Sequence, residues 1–251
     1  MESTRDKIVN ALVKLYEPIE DVYAVWQNGS IAFNRVDDYS DIDLAVECEK
    51  EIIPSLIEKT EKVLEETVGI DFRYEIKQNF FAGMDQIFYR FKNTSPFLLL
   101  DIGFIRHGEN KESFIQPEIH GEVKVHFDKI GMTEMKELEK SEWDKKMAAR
   151  IEALREKYEV FKVMPLKELP RQQYVDAFAF YFSFYLNTLV ELLRIKHKPF
   201  RYNFGLRYLK YDLPADVFTE FEPLVFIKDG ADLKEKIQKA GSMIEELFKE
   251  L

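Results

Sequence analysis

The apolar positions change period along the chain. Near the start, Ile8, Val9, Leu12 and Leu15 recur at helical spacing behind Ser3 and Thr4, either of which can cap a helix. Short apolar runs then alternate with polar stretches. The segments "VYAVWQ" (22–27), "DIDLAVEC" (41–48), "IDFRYEIK" (70–77), "QIFYRF" (86–91), "FLLLDIGFI" (97–105) and "EVKVHF" (122–127) read as strands. "IIPSLIEKTEKVLEETVG" reads as a helix that stops at Gly69, with Pro54 tolerated in its first turn. "KNTSP" makes the strands on either side of it a hairpin. These elements predict a mixed β-sheet flanked by helices, over residues 1–130.

From residue 131 to 251 the strand period is gone. "MTEMKELEKSEWDKKMAARIEALREKYEVFKV" is a long, charged helical pattern, and residues 172–196 form a second, far more apolar one. Shorter helices are expected at 203–211, 214–226 and 231–250, punctuated by Pro214 and Gly230. This half reads as an all-α helical bundle. The fold class is therefore α+β, a mixed-sheet domain over 1–130 followed by an all-α helical domain over 131–251. No internal repeat or low-complexity tract interrupts it.

Composition narrows the function classes. The chain has 251 residues, enough for two domains without covalent staples. Its one cysteine, Cys48, allows no intrachain disulfide and suits a reducing compartment; it reads as a small buried hydrophobe. "MESTRDKIVNALVKLYE" has no basic lead before an apolar block, so no signal peptide is expected. The most apolar stretch, "AFAFYFSFYLNTLVELL", is broken by Asn187 and Glu191 and reads as a buried helix rather than a membrane span. The cytoplasm is the default location. A net charge of −10 weighs against nucleic acid as a partner and suits a cationic one. The oligomeric state stays open, a dimer among the options.

The chemistry concentrates in "NGSIAFNRVDDYSDIDLAVE" (28–47). Residues i and i+2 of a strand share a face, so Asp41 and Asp43 project together while Ile42 and Leu44 point into a core. Two such carboxylates repel unless a cation lies between them. Oxygen ligands alone favour Mg²⁺ or Mn²⁺. A solvent-facing Asp pair on an edge strand is the alternative. Upstream, Gly29 and Ser30 follow one strand and precede a possible short helix, an arrangement suited to gripping phosphate. Asp101 stands alone in an apolar strand. Placed beside Asp43 it would complete a three-carboxylate cluster able to hold two metal ions about 3.5–4 Å apart. A core Asp bonded to an arginine or a backbone N–H is the alternative.

With its spacing of Gly-Ser, loop and Asp-Ile-Asp-Leu, this segment resembles the signature of the DNA polymerase β-like nucleotidyltransferase superfamily. "YSDIDLAV" is similar to the "SDIDL" form of bacterial members, Asp101 takes the place of the third carboxylate, and "VKVHFDKIGM" resembles the end of the catalytic domain in antibiotic-modifying members. Asn28 departs from the family, which prefers an apolar or small residue there. The resemblance implies transfer of a nucleoside monophosphate from an NTP, with ATP expected, to an acceptor hydroxyl, releasing pyrophosphate. Asp41, Asp43 and Asp101 would hold the metals, Asp101 would also take the acceptor's proton, and Gly29 and Ser30 would hold the β- and γ-phosphates. Ser40, in the same signature, and Arg35, in its loop, join them as nucleotide-binding candidates; a solvated Arg35 is the alternative. The basic and aromatic cluster "KHKPFRYNFGLRYLK" (196–210) offers Lys198, Arg201, Arg207 and Lys210 to the triphosphate and Phe200 or Tyr202 to a base. Basic residues favoured at a helix C-terminus are its alternative reading. The four histidines show no ligand spacing. Three function classes stand: a small-molecule nucleotidyltransferase with an aminoglycoside- or lincosamide-like acceptor, a transferase acting on a protein or RNA in the manner of toxin–antitoxin systems, and a non-catalytic nucleotide-binding protein of the same fold.

Overall fold

The computed structural model describes residues 2–77, 83–109, 115–135 and 138–251. The chain divides into two compact units, Met1–Glu137 and Leu138–Leu251. The first is α+β and the second helical.

In the first unit, α1 (Thr4–Tyr16) is capped by Ser3, whose hydroxyl accepts the backbone N–H of Asp6 at 3.1 Å. β1 (Val22–Gln27) and β2 (Ile42–Cys48) follow, separated by a loop that begins with a short 3₁₀ turn, Gly29–Phe33. α2 (Ile53–Thr67) carries Pro54 in its first turn, where a missing N–H costs nothing. β3 (Ile70–Glu75), β4 (Met84–Phe91), β5 (Leu99–Arg106), the short α3 (Pro117–His120) and β6 (Lys124–Asp128) complete the unit. The sheet order is β3-β4-β5-β2-β1-β6. β2 and β5 pair in parallel at its centre, and the other neighbours are antiparallel, including the β4–β5 hairpin.

Alternation fixes which face is which. Ile42, Leu44, Val46 and Cys48 of β2 and Leu100, Ile102 and Phe104 of β5 are fully or almost fully buried. They pack with Ile8, Leu12 and Tyr16 of α1 and Leu56 and Leu64 of α2 in one core cluster. Burying each such side chain contributes about 1.5–3 kcal/mol. The intervening residues, Asp43, Ala45 and Glu47 on β2 and Asp101, Gly103 and Ile105 on β5, are in register with one another on the opposite face. Glu47 is buried there, and burial pushes its carboxyl above the usual range; His107 Nδ1 lies 2.9 Å from it, under the ring of Tyr23.

The second unit holds α4 (Lys140–Phe161), α5 (Val163–Glu168), α6 (Tyr174–Tyr181), α7 (Asn187–His197), α8 (Leu209–Asp212), α9 (Ala215–Phe221) and α10 (Gly230–Glu250). The apolar stretch expected as one helix over 172–196 is α6 and α7 joined by a π-helical turn, Phe182–Leu186. Among the described residues no helix is long and apolar enough to cross a membrane. Two expectations are corrected. The helix expected from 132 begins only at Lys140. Residues 203–208 are not helical, with Gly205 and Tyr208 at positive φ, because this segment wraps a buried guanidinium. Arg194 on α7 donates to the carbonyls of Gly205, at 2.9 Å, and of Arg207.

Candidate active site

The site is built where β1 gives way to its loop and where β2 and β5 begin. Asp43 and Asp101 are paired across the parallel strands, on the face away from α1 and α2. Directly paired residues on adjacent strands have Cα atoms about 5 Å apart, so the two side chains leave neighbouring positions on one face of the sheet. Asn28 N–H donates to the Asp43 carbonyl at 3.0 Å, which ties the Gly29 turn to β2. The Asn28 amide oxygen accepts the Trp26 indole N–H at 3.1 Å, giving this polar residue a structural partner.

Gly29 has φ +68°, a conformation that L side chains rarely adopt. A Cβ at this position would lie 1.8 Å from Asp43 Oδ2. The Asp43 carboxylate therefore rests against the bare α-carbon, and glycine here is a requirement of contact as well as of backbone angle.

Asp101 is half-buried, and its carboxyl is pushed above the usual range. Burial is the main cause, the nearby charge of Asp41 adds to it, and a hydrogen bond from Gln86 opposes both. The Gln86 amide donates to both carboxylate oxygens, at 2.7 and 2.9 Å. Gln86 stands on β4 opposite Gly103, one step along the same face from Asp101. It is a site residue that the sequence does not reveal. Replacing it with Met, which keeps the length but removes the donor, is expected to raise the Asp101 pKa further. Titration of the carboxyl carbon by ¹³C NMR measures this; an unchanged or lower midpoint would contradict the assigned cause. The stability consequence has a definite sign. A carboxyl whose folded pKa exceeds its unfolded value holds its proton more tightly when folded. Stability is then lost as pH rises from the ordinary Asp value to the raised one, and the loss is larger in Gln86→Met.

Asp41 is the third expected carboxylate. It precedes β2 rather than belonging to it, and it is exposed. Its direction is consequently not set by the strand pleat. Arg5 of α1 holds this approach by donating to the carbonyls of Asp41, at 2.5 Å, and of Ser40. The structure thus sets two of the three carboxylates side by side and leaves the third at the edge, near enough for its charge to reach Asp101. Among the described residues, no group of three or more His, Cys, Asp or Glu side chains is gathered closely enough to hold a metal ion. Carboxylate oxygens as a donor type are the hard ligands that a divalent cation such as Mg²⁺ prefers. Gln86 takes part of the lone-pair capacity of Asp101, and a carboxylate has about four such positions.

The remaining candidates are dispersed. Ser30 lies in the 3₁₀ turn, and its carbonyl accepts the Arg35 N–H at 2.9 Å. The Arg35 guanidinium sits over the Phe33 ring, 5.1 Å from its centroid. The Ser40 hydroxyl knits the loop, accepting the Asp37 N–H at 3.0 Å and donating to the Asp37 carboxylate at 2.7 Å. Lys198 ends α7 and is exposed. Arg201 contradicts the expectation of a cleft-lining cation. It is 2% exposed, and it donates to Asp212 Oδ1 at 2.8 Å while Arg194 donates to Oδ2 of the same carboxylate at 2.6 Å. The guanidinium also lies 4.4 Å from the centroid of Phe204. A side chain so enclosed holds its own unit together.

No family model matches the sequence, and no curated protein matches it. Among solved structures, a nucleotidyltransferase-like protein from Exiguobacterium sibiricum 255-15 aligns over 99% of this chain and 75% of its own, at 11% identity and a TM-score of 0.42. A chain from H. pylori described as a candidate nucleotidyltransferase aligns over 98% of this chain and 94% of its own, at 14% identity and a TM-score of 0.30. Likenesses this faint carry no inference about chemistry, so the reading of the site rests on its own geometry and sequence.

Proposed function

We propose that the chain is a metal-dependent nucleotidyltransferase that moves a nucleoside monophosphate from an NTP to a hydroxyl of a small-molecule acceptor, releasing pyrophosphate. One observation carries this reading: Asp43 and Asp101 are paired across two parallel central strands, with Asp43 pressed against the α-carbon of Gly29. A strand pair built only to fold would place apolar or neutral residues there. In this reading the Gly29 turn, which leaves its backbone open to close approach, would grip phosphate beside the two acids.

In this reading Asp43 and Asp41 would hold the metal that accompanies the triphosphate, and Asp101 would face the acceptor. Bound Mg²⁺ or Mn²⁺ would neutralise charge on the triphosphate and lower the pKa of the acceptor hydroxyl. Asp101, already inclined to hold a proton, accepts the one released as the hydroxyl oxygen bonds to the α-phosphorus. Gln86 keeps that carboxylate oriented and limits how far its pKa rises. Gly29 and the backbone after it approach the phosphates, and pyrophosphate leaves along that side. ATP is the nucleotide we favour.

Incubation with α-labelled NTP and Mg²⁺, with and without candidate acceptors, tests the reaction. Label is expected on a small-molecule acceptor. Label on the protein itself or on RNA would replace the small-molecule reading with a macromolecular one. Failure of NTP and Mg²⁺ together to raise the melting temperature would remove the enzyme reading, because a ligand that binds only the folded state must stabilise it. Gly29→Ala gives a sharper result. It is expected to weaken Mg²⁺-dependent nucleotide binding about 10- to 100-fold, since the added methyl displaces Asp43, while costing about 1–2 kcal/mol of stability from backbone strain. Unchanged affinity by calorimetry would show that Asp43 need not sit on the turn.

A further inference from the structure

The helical unit contains a cleft of about 430 Å³ lined by Arg150 on α4, Asn187 and Glu191 on α7, and Tyr202 and Asn203 in the segment after it. That volume is in the ordinary range for a small-molecule site. Its polar groups converge and are unequally occupied. Arg150 and Glu191 form a two-point pair, Nε to Oε1 and Nη2 to Oε2 at 2.9 Å, so their charges cancel. Asn187 and Asn203 are exposed, and among the described residues neither side-chain amide has a hydrogen-bond partner.

The backbone gives an independent sign. Asn187 is the first residue after the π-helical turn Phe182–Leu186. Such a turn replaces i→i+4 hydrogen bonds with i→i+5 ones, and it is frequent at functional sites. Here it immediately precedes Asn187, which lines the cleft. Trp143 and Lys146 share the Arg150 face of α4, at helical spacing. The Trp143 ring packs on Tyr202, with centroids 6.0 Å apart, and Lys146 lies 4.6 Å from the Trp143 centroid and 5.5 Å from that of Tyr202. The indole N–H of Trp143 is buried without a partner among the described residues.

We propose that this cleft binds a small, neutral, polyhydroxylated molecule of the hexopyranose class. Each amide presents a donor beside an acceptor, as adjacent hydroxyls do, so Asn187 and Asn203 match a run of ring hydroxyls. The Tyr202 ring offers an apolar wall to the C–H face of a pyranose. An ionised ligand would have to compete with the Arg150–Glu191 pair, and breaking such a pair leaves one of its charges uncompensated. All these residues lie in the helical unit, so the site stands or falls independently of the transferase reading.

The test is saturation-transfer NMR on the full chain with three probes of one shape and different charge: methyl α-D-glucopyranoside, D-glucosamine and D-glucuronate. Transfer is expected to favour the neutral glucoside about fivefold or more over either charged ring, a margin of roughly 1 kcal/mol. Asn187→Leu and Asn203→Leu, both at exposed positions, are each expected to cut it about fivefold, with melting unchanged, as the loss of one or two hydrogen bonds. Asn187→Asp is expected to reverse the preference toward glucosamine, a change that a merely structural residue would not produce. Stronger transfer to a charged probe in the unmodified chain, undiminished transfer in both Leu variants, or no transfer to any probe at millimolar concentration would overturn the proposal.

Discussion

Asp43→Asn is expected to lower the proposed nucleotidyl transfer about 10³-fold while leaving the fold intact. The substitution keeps the shape of the side chain and removes its charge. The core lies on the other side of β2, where Ile42, Leu44, Val46 and Cys48 are buried, and nothing on that side changes. Folding loses little, and the melting temperature is expected to hold or rise slightly, because two neighbouring carboxylates no longer repel. Function loses the anion that lies against the Gly29 turn. Removing one preorganised electrostatic contact from a transition state typically costs about 10²–10³-fold, and loss of metal affinity adds to it. Initial rates of label transfer at saturating Mg²⁺, measured beside a thermal melt, separate the two effects. Activity within about tenfold of the unmodified chain would remove Asp43 from the metal-binding role.

Asp212→Ala is expected to cost about 3–5 kcal/mol in the helical unit, because it strands two buried cations at once. Arg194 is fully buried and Arg201 is 2% exposed, and each relies on one oxygen of this carboxylate. The Arg194 contacts to the Gly205 and Arg207 carbonyls remain, but they are dipoles and do not balance a whole charge. Each unit carries one tryptophan, Trp26 in the first and Trp143 in the second. Urea unfolding followed by fluorescence is expected to show the Trp143 component moving to lower denaturant and the Trp26 component staying in place. Asp212→Asn, which keeps an acceptor but not the charge, should fall between. A shift below about 1 kcal/mol would mean that water reaches these guanidinium groups.

Asp43 and Asp212 differ in how far the sequence discloses them. Asp43, like Asp101, is legible because charge in an apolar strand has few explanations, and because period two fixes the face of each. The parallel pairing of their strands is beyond such reading, since register is decided by contacts distant in sequence. Gln86 is invisible for the same reason: nothing in "DQIFYRF" says that it meets Asp101. Arg201 misleads because a basic cluster in sequence looks like a basic surface. Its counter-charge, Asp212, lies eleven positions on, across a segment whose helical pattern proves to be a wrapped loop. The π-turn leaves no trace either, because all-round apolar residues such as those of 177–186 give no period for an inserted residue to break.

The parallel pairing of β2 with β5 has a consequence for how the molecule comes to exist. Asp43 and Asp101 are 58 positions apart, 101 minus 43, with α2, β3 and β4 between them. Closing a loop of that length precedes any reward from the contacts it creates, so pairings of this kind form slowly. The β4–β5 hairpin can form early, whereas the acids meet only when it docks on β2. On the ribosome, a chain that has not yet emerged past β5 lacks this pair of acids. The two acids therefore come together in one of the slower steps by which this unit folds.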